Sequence, residues 1–360
     1  MTLIRLPGLV DVHTHLRVPG GEHKEDFASG TAAALAGGFT CVLAMPNTSP
    51  PLVTAEALQV ARDLARTSIR CDVGIFGGAS PEHVDDLPEL AEHAIGLKIY
   101  LNDTFGPLRV EDLPTLQACF TRWPRTKPIA MHAEGQSVAV GIGLAASYGR
   151  PVHFCHISRR DEIELIAAAK RAGLPVTCEV TPHHLFLTES DARRLGPLGD
   201  MRPRLATPDD QEALWHHIAM GTVDCIATDH APHTLDEKAS DNPPPGVAGL
   251  ETSLPLMLTA VRNGRLTLAR LVELMATTPR RVFGLPDQPD TYVEIDPETC
   301  YEITNAGLYS KCGWTPFAGM QARGRVQRVV LRGAVAFDTG DPASLAKPGN
   351  GQLVPQQLQD

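Results

Sequence analysis

Nine of the fourteen histidines gather in a few short stretches, at positions 13, 15, 132, 153, 156, 183, 184, 230 and 233. The first stretch reads Asp11-Val12-His13-Thr14-His15 and the last Asp229-His230-Ala231-Pro232-His233. Side chains along a strand repeat with a period of two, so His13 and His15 leave the backbone on one side. Two neutral imidazoles so placed can hold one metal ion, and zinc suits them. Asp229 offers a carboxylate to complete that site, while His132 and His156 suit a second ion. A lone His-x-His is weak evidence for a metal. Two more histidines and an aspartate on the same rim make it strong. The plain alternative is a set of core histidines satisfied by backbone carbonyls.

Lys98 is the odd member of the group. It interrupts an apolar run, Gly96-Leu97-Lys98-Ile99-Tyr100, where a lysine ordinarily snorkels to solvent. Burial beside cations disfavours an ammonium and favours the free amine. A free amine can take up carbon dioxide to form an anionic carbamate, whose two oxygens can bridge two metals.

These residues need a frame that brings distant segments to one surface. Apolar, β-branched runs recur at nearly even spacing: Leu9–His13, Phe39–Met45, Cys71–Phe76, Gly96–Leu101, Pro128–His132, Val152–His156, Val176–Val180 and Asp224–Thr228. Helical stretches lie between them, such as Asp26–Ala36, Ala55–Thr67, Asp161–Ala172 and Asp209–Met220. Some of these stop at glycine, as at Gly37 and Gly173. Eight such units predict a (β/α)8 TIM barrel, in which the C-terminal strand ends carry the active site. A doubly wound open sheet is the rival, but no glycine-rich phosphate loop follows the first strand. Leu254–Arg262 and Leu266–Met275 read as two further helices. Val326–Arg332 and Ala334–Phe337 read as a hairpin of a small appended β-subdomain. The expected division is a barrel over 8–285, a β-subdomain from 1–7 plus 286–340, and a flexible tail or linker over 341–360.

Composition narrows the classes. With 32 basic and 42 acidic residues the net charge is −10, which disfavours a nucleic-acid or anionic-membrane surface. No apolar run approaches ~18 residues, the length of a transmembrane helix. The eight cysteines form no Cys-x-x-Cys pair and read as reduced thiols of a cytoplasmic protein.

The assembled motifs resemble the dihydroorotases of the amidohydrolase superfamily. The resemblance rests on Pro7-Gly8-Leu9-Val10-Asp11-Val12-His13-Thr14-His15-Leu16-Arg17, Met45-Pro46-Asn47, Gly96-Leu97-Lys98-Ile99-Tyr100-Leu101, Ala130-Met131-His132-Ala133-Glu134, Cys155-His156 and Thr228-Asp229-His230-Ala231-Pro232-His233. It runs from about Arg5 to Phe337. It extends to Asn102-Asp103-Thr104-Phe105, Cys178-Glu179-Val180-Thr181-Pro182-His183-His184 and Pro243-Pro244-Pro245-Gly246, as in the form fused within the animal multifunctional pyrimidine enzyme. One departure is Val18, where the family usually has an acidic residue; it bears on loop packing rather than on chemistry.

The resemblance implies two zinc ions, one held by His13, His15, carboxylated Lys98 and Asp229, the other by Lys98, His132 and His156. It implies a third zinc position at Cys155 and Glu179; an inert thiol and a paired strand carboxylate are the alternatives there. It assigns Arg17, Asn47, Arg202, His233 and the backbone at Pro245 to the substrate, and a covering lid to Thr104 and Phe105. A surface cation beside Asp200 is the alternative for Arg202, and an ordinary mobile turn for the lid. The implied reaction is reversible cyclisation of carbamoyl aspartate to dihydroorotate in pyrimidine biosynthesis. A bridging hydroxide and Asp229 as general base and acid would carry it. The implied partners are a second copy of the chain and, covalently or not, aspartate transcarbamoylase and carbamoyl-phosphate synthetase domains. Other cyclic amidases, such as hydantoinase, dihydropyrimidinase or allantoinase, are the rival enzymes, but their rings bear no carboxylate for Arg17 to hold. A catalytically silent scaffold is the rival outside enzymes, and would be marked by lost metal ligands.

Overall fold

The computed structural model describes residues 3–354. Eight parallel strand positions close into a barrel. They are β2 (Leu9–Thr14), β3 (Phe39–Ala44), β4 (Asp72–Ile75) continued after Phe76 by β5 (Gly77–Gly78), β6 (Leu97–Tyr100), β7 (Ile129–His132), β8 (Val152–Phe154), β9 (Val176–Val180) and β10 (Cys225–Ile226). β2, β3 and β4 pair in order, as do β5 to β10. A parallel bridge between Thr14 and His230 closes the ring, and the His15 amide donates to the His230 carbonyl at 2.7 Å. The strands are buried almost throughout, which explains why they read as continuous apolar runs rather than alternating ones.

The helices between them begin where short polar side chains cap them. Asp26 and Ser29 form a capping box at Phe27–Ala36, Thr54 caps Ala55–Ser68, and Thr207 caps Pro208–Ala219. Gly173 has the left-handed φ expected of a helix stop, but Gly37 does not; Gly38, with φ 87°, makes that turn. The helix expected from Leu254 starts at Leu250, and the segment expected to run unbroken to Met275 contains a π-helical turn at Glu273–Thr277.

A second, antiparallel sheet packs beside the barrel in the order β1 (Ile4–Pro7), β11 (Tyr292–Glu302), β12 (Gln321–Leu331), β13 (Ala334–Asp338). β1 pairs with β11 in the register Ile4 to Ile295, so the two ends of the chain build one sheet. The expected tail is a correction. Residues 341–354 are not free: they run back under the barrel, where Val73 and Val354 exchange amide bonds with their neighbours (Val73 N to Gln352 O 3.0 Å, Val354 N to Val73 O 2.9 Å). Arg332 ion-pairs with Asp72 at 2.8 Å and donates to the Asn350 carbonyl, tying sheet, barrel floor and tail together. The remaining residues of that expected tail, 355–360, lie outside the described residues.

Candidate metal centre and active site

All nine clustered histidines are buried. They divide by their hydrogen-bond partners. His153 is held by Thr177 and Glu179, His184 by Thr181 and the Pro203 carbonyl, and His230 by Glu25 and the Gly249 amide. These three are satisfied core histidines. His13, His15, His132 and His156 converge on one hollow at the C-terminal strand ends. His13 Nε2 and His15 Nε2 lie 3.4 and 3.1 Å from Asp229 Oδ1. His132 Nδ1 lies 2.9 Å from His156 Nε2, and the His13 and His156 rings are 5.1 Å apart.

The electrostatics show what the hollow wants. Burial would raise the Asp229 carboxyl, but His13, His15 and His183 outweigh it and hold the group well below the usual carboxylate range. Burial and Lys98 push His13 down, yet Glu179 and Asp229 prevail and raise it to about 10. His156 is driven far below its ordinary value by burial, His132, His13 and Lys98, and His15 falls to about 4 by burial. His156 Nδ1 is buried without any hydrogen-bond partner. Lys98 is fully buried, donates only to Cys155 Sγ at 2.9 Å, and has no carboxylate partner among the described residues. An orphaned imidazole nitrogen, two imidazole nitrogens facing each other and an unpaired buried amine are donors arranged for cations. Candidate ligand atoms of His13, His156 and Asp229 lie within 4.8 Å of one another, as do those of His13, Cys155 and Glu179. The residues fit a metal centre. Glu179 is fully buried, bracing His13 Nδ1 at 2.5 Å and His153 Nε2 at 3.0 Å.

Above the hollow sits a second, cationic ring. Arg17 is buried, with Nε on the Pro232 carbonyl (3.2 Å) and Nη2 facing His233 Nε2 (3.0 Å). Asn47 joins His15 Nδ1 (2.7 Å) to the Phe105 carbonyl (2.9 Å). His233 Nε2 lies 3.1 Å from the Pro245 carbonyl, which is fixed by the turn at Gly246: with φ 139°, a Cβ there would sit 2.5 Å from the Ala231 carbonyl oxygen. Burial, then Arg17 and Lys24, push His233 far down, so it stays neutral. Phe105 folds over this ring, its centroid 5.0 Å from that of His233 and 5.2 Å from Arg17 Cζ. Thr104, Phe105 and Pro243–Pro245 line a cavity of about 720 Å³ at the mouth. Arg202 is not in the ring: its Nη1 pairs with Asp200 at 2.5 Å, with a quarter of the side chain exposed.

Sequence reasoning missed three contributors. Lys24 is buried, with Nζ 3.3 Å from His233 Nδ1 and 2.8 Å from Glu237, but it sits in a charged run that reads as a solvated face. His183 is buried within electrostatic reach of Asp229 and His13, with Nε2 unpartnered; its place just after a strand was visible, its surroundings were not. Trp314, from the loop between β11 and β12, donates to the His233 carbonyl at 2.7 Å, a contact no local pattern announces.

Residues 2–107 match the family model for dihydro-orotase-like proteins. The chain is 52% identical over 98% of its length to the multifunctional protein CAD of Squalus acanthias, of which it spans 16%. It is 35% identical to a dihydroorotase of Halobacterium salinarum, over 87% of this chain and 82% of that one. The chain belongs to the dihydroorotase family. Among solved structures, the L-hydantoinase (dihydropyrimidinase) of Arthrobacter aurescens superposes with a TM-score of 0.92 at 26% identity, over 98% of this chain and 89% of that one. The barrel is thus the amidohydrolase barrel. No helix among the described residues is long and apolar enough to cross a membrane.

Proposed function

We propose that the chain is a zinc-dependent dihydroorotase, interconverting N-carbamoyl-L-aspartate and L-dihydroorotate with loss or gain of water in de novo pyrimidine synthesis. The observation that carries this reading is Arg17, a buried guanidinium beside neutral His233 and Asn47, directly above the histidine–aspartate hollow. Such a group needs an anionic oxygen pair from its ligand, and dihydroorotate brings a carboxylate that reacts with nothing.

His13, His15, Lys98 and Asp229 would hold one zinc, Lys98, His132 and His156 a second, and Cys155 with Glu179 a third. Lys98 would bridge the first two as its carbamate, which replaces an unpaired buried ammonium with an anion between cations. Bound zinc would supply Lewis-acid polarisation of the amide carbonyl and acidify water toward neutrality. Arg17 grips the substrate carboxylate bidentately, with Asn47 and His233 beside it and Arg202 reorienting from Asp200 to join them. Phe105 and Thr104 cover the mouth and exclude bulk water. In ring opening, Asp229, ionised and buried, takes the proton from water as the new C–O bond forms. It then delivers that proton to the ring nitrogen as the C–N bond breaks. In the cyclising direction the same carboxylate deprotonates the ureido nitrogen.

The chain works in the cytoplasm as a homodimer, joined to or associated with aspartate transcarbamoylase and carbamoyl-phosphate synthetase; the large multifunctional relative supports that association. The test is ring opening of dihydroorotate followed by ultraviolet absorbance, with zinc counted on the same sample. Turnover with about two or more zincs per chain, and none on hydantoin or dihydrouracil, is expected. In Asp229→Asn, kcat should fall by about 10²–10⁴-fold with the melting temperature retained. Zinc without turnover would refute the substrate, and near-normal turnover in Asp229→Asn would refute the proton carrier.

A further inference from the structure

Three buried polar atoms around the hollow have no hydrogen-bond partner: His156 Nδ1, His183 Nε2 and the Tyr100 hydroxyl. The first two are imidazole nitrogens in a cluster built for cations. The third is different, because a protonated phenol is no ready zinc ligand and an unsatisfied buried hydroxyl destabilises the fold.

Tyr100 ends β6 two residues after Lys98, so both side chains leave the strand toward the barrel axis. Its ring is wedged between Val53 and Leu108, lies 6.0 Å from the His132 ring, and has the Lys98 Nζ 5.1 Å from its centroid. The Val110 amide donates to the Tyr100 carbonyl at 2.8 Å, which pins the strand end as well. The ring therefore has no freedom to seek another partner. Its hydroxyl lies within electrostatic reach of Cys155, Asp229 and Arg17.

We propose that Tyr100 is a further substrate-binding residue, whose hydroxyl donates to a ring carbonyl oxygen of dihydroorotate, or the matching oxygen of carbamoyl aspartate. This inference rests on the dihydroorotase reading. The substrate is then the missing partner. Its carboxylate sits on Arg17, its reacting amide carbon lies beside Asp229, and the oxygen between them meets the phenol. Held rigid in the free protein, the hydroxyl costs no reorganisation when substrate arrives.

Two effects of Tyr100→Phe then have opposite signs. Removing an unsatisfied buried hydroxyl leaves the zinc-loaded full chain melting at or above the wild-type temperature, with zinc content unchanged. Removing a donor to the substrate lowers kcat/KM for dihydroorotate by about 10- to 100-fold. That pair of results is expected. A kcat/KM within about twofold of wild type would overturn the proposal. A fall in melting temperature together with zinc loss would overturn it too, by showing that the hydroxyl serves the fold. Wild type is assayed first: if it fails to open dihydroorotate, the dihydroorotase reading falls before the variant is made, and this inference falls with it.

Discussion

Arg17, His156 and Asp229 have left-handed backbone, with φ of 61°, 36° and 46°, and are three of the five non-glycine residues with positive φ among the described residues. Each such residue costs on the order of 1–3 kcal/mol, and is kept where the surroundings over-determine it. All three follow strand ends, so the bend turns a side chain inward just where the extended backbone stops. His13 shows a second cost of the same site. Without zinc it is protonated up to about 10, held between Glu179 and Asp229. Metal binding requires the neutral ring, so each chain that takes up zinc at pH 7 must expel at least that proton. Apparent zinc affinity should weaken about tenfold for each pH unit below about 10, for this one proton. Calorimetry in two buffers of different ionisation enthalpy reads the proton release directly; binding without release would refute the assignment.

At the scale of elements, the loop between β11 and β12 matters more than its distance in sequence suggests. Trp314 fixes the His233 carbonyl from below while Gly246 fixes the Pro245 carbonyl beside it. Trp314→Phe removes a hydrogen bond of about 1 kcal/mol without touching Asp229. KM for dihydroorotate should rise roughly fivefold with kcat nearly unchanged; a fall in kcat alone would contradict a purely positioning role. The same loop shows where sequence reading stopped. The eight strands were legible because each is a short apolar run, and the gathering of His13, His15, His132, His156 and Asp229 because each lies at or just beyond the C-terminal part of a strand. Lys24 and Trp314 were not, because their roles arise from loops that approach the site from far along the chain. Arg202 was assigned by family likeness alone, and lies against Asp200 instead.

For the whole molecule, the floor of the barrel is as specified as its mouth. The segment read as a linker is anchored because Asp72, almost buried, accepts from Arg332, Gln288 and the Gln352 amide at once. Proline, glycine and asparagine made that segment look free; its partners lie on β4, far from it in sequence. Arg332→Ala strips the counter-charge from Asp72 and loosens the tail. It should cost about 2–3 kcal/mol of stability, less than a fully buried pair because the arginine is partly exposed. Denaturant titration would show this, with kcat preserved because the active rim lies at the opposite end.

The pairing of β1 with β11 also bears on the order in which the protein is made. The first strand has no partner in its own sheet until β11 has been synthesised, and β2, which carries His13 and His15, meets the β10 side of the ring late as well. Contacts so remote in sequence close slowly. A nascent chain therefore carries its His-x-His segment incomplete while ribosomes finish the rest. Any metal site built on His13 and His15 is therefore complete only once β10 has joined the ring, as a closing act of folding rather than the nucleus that starts it.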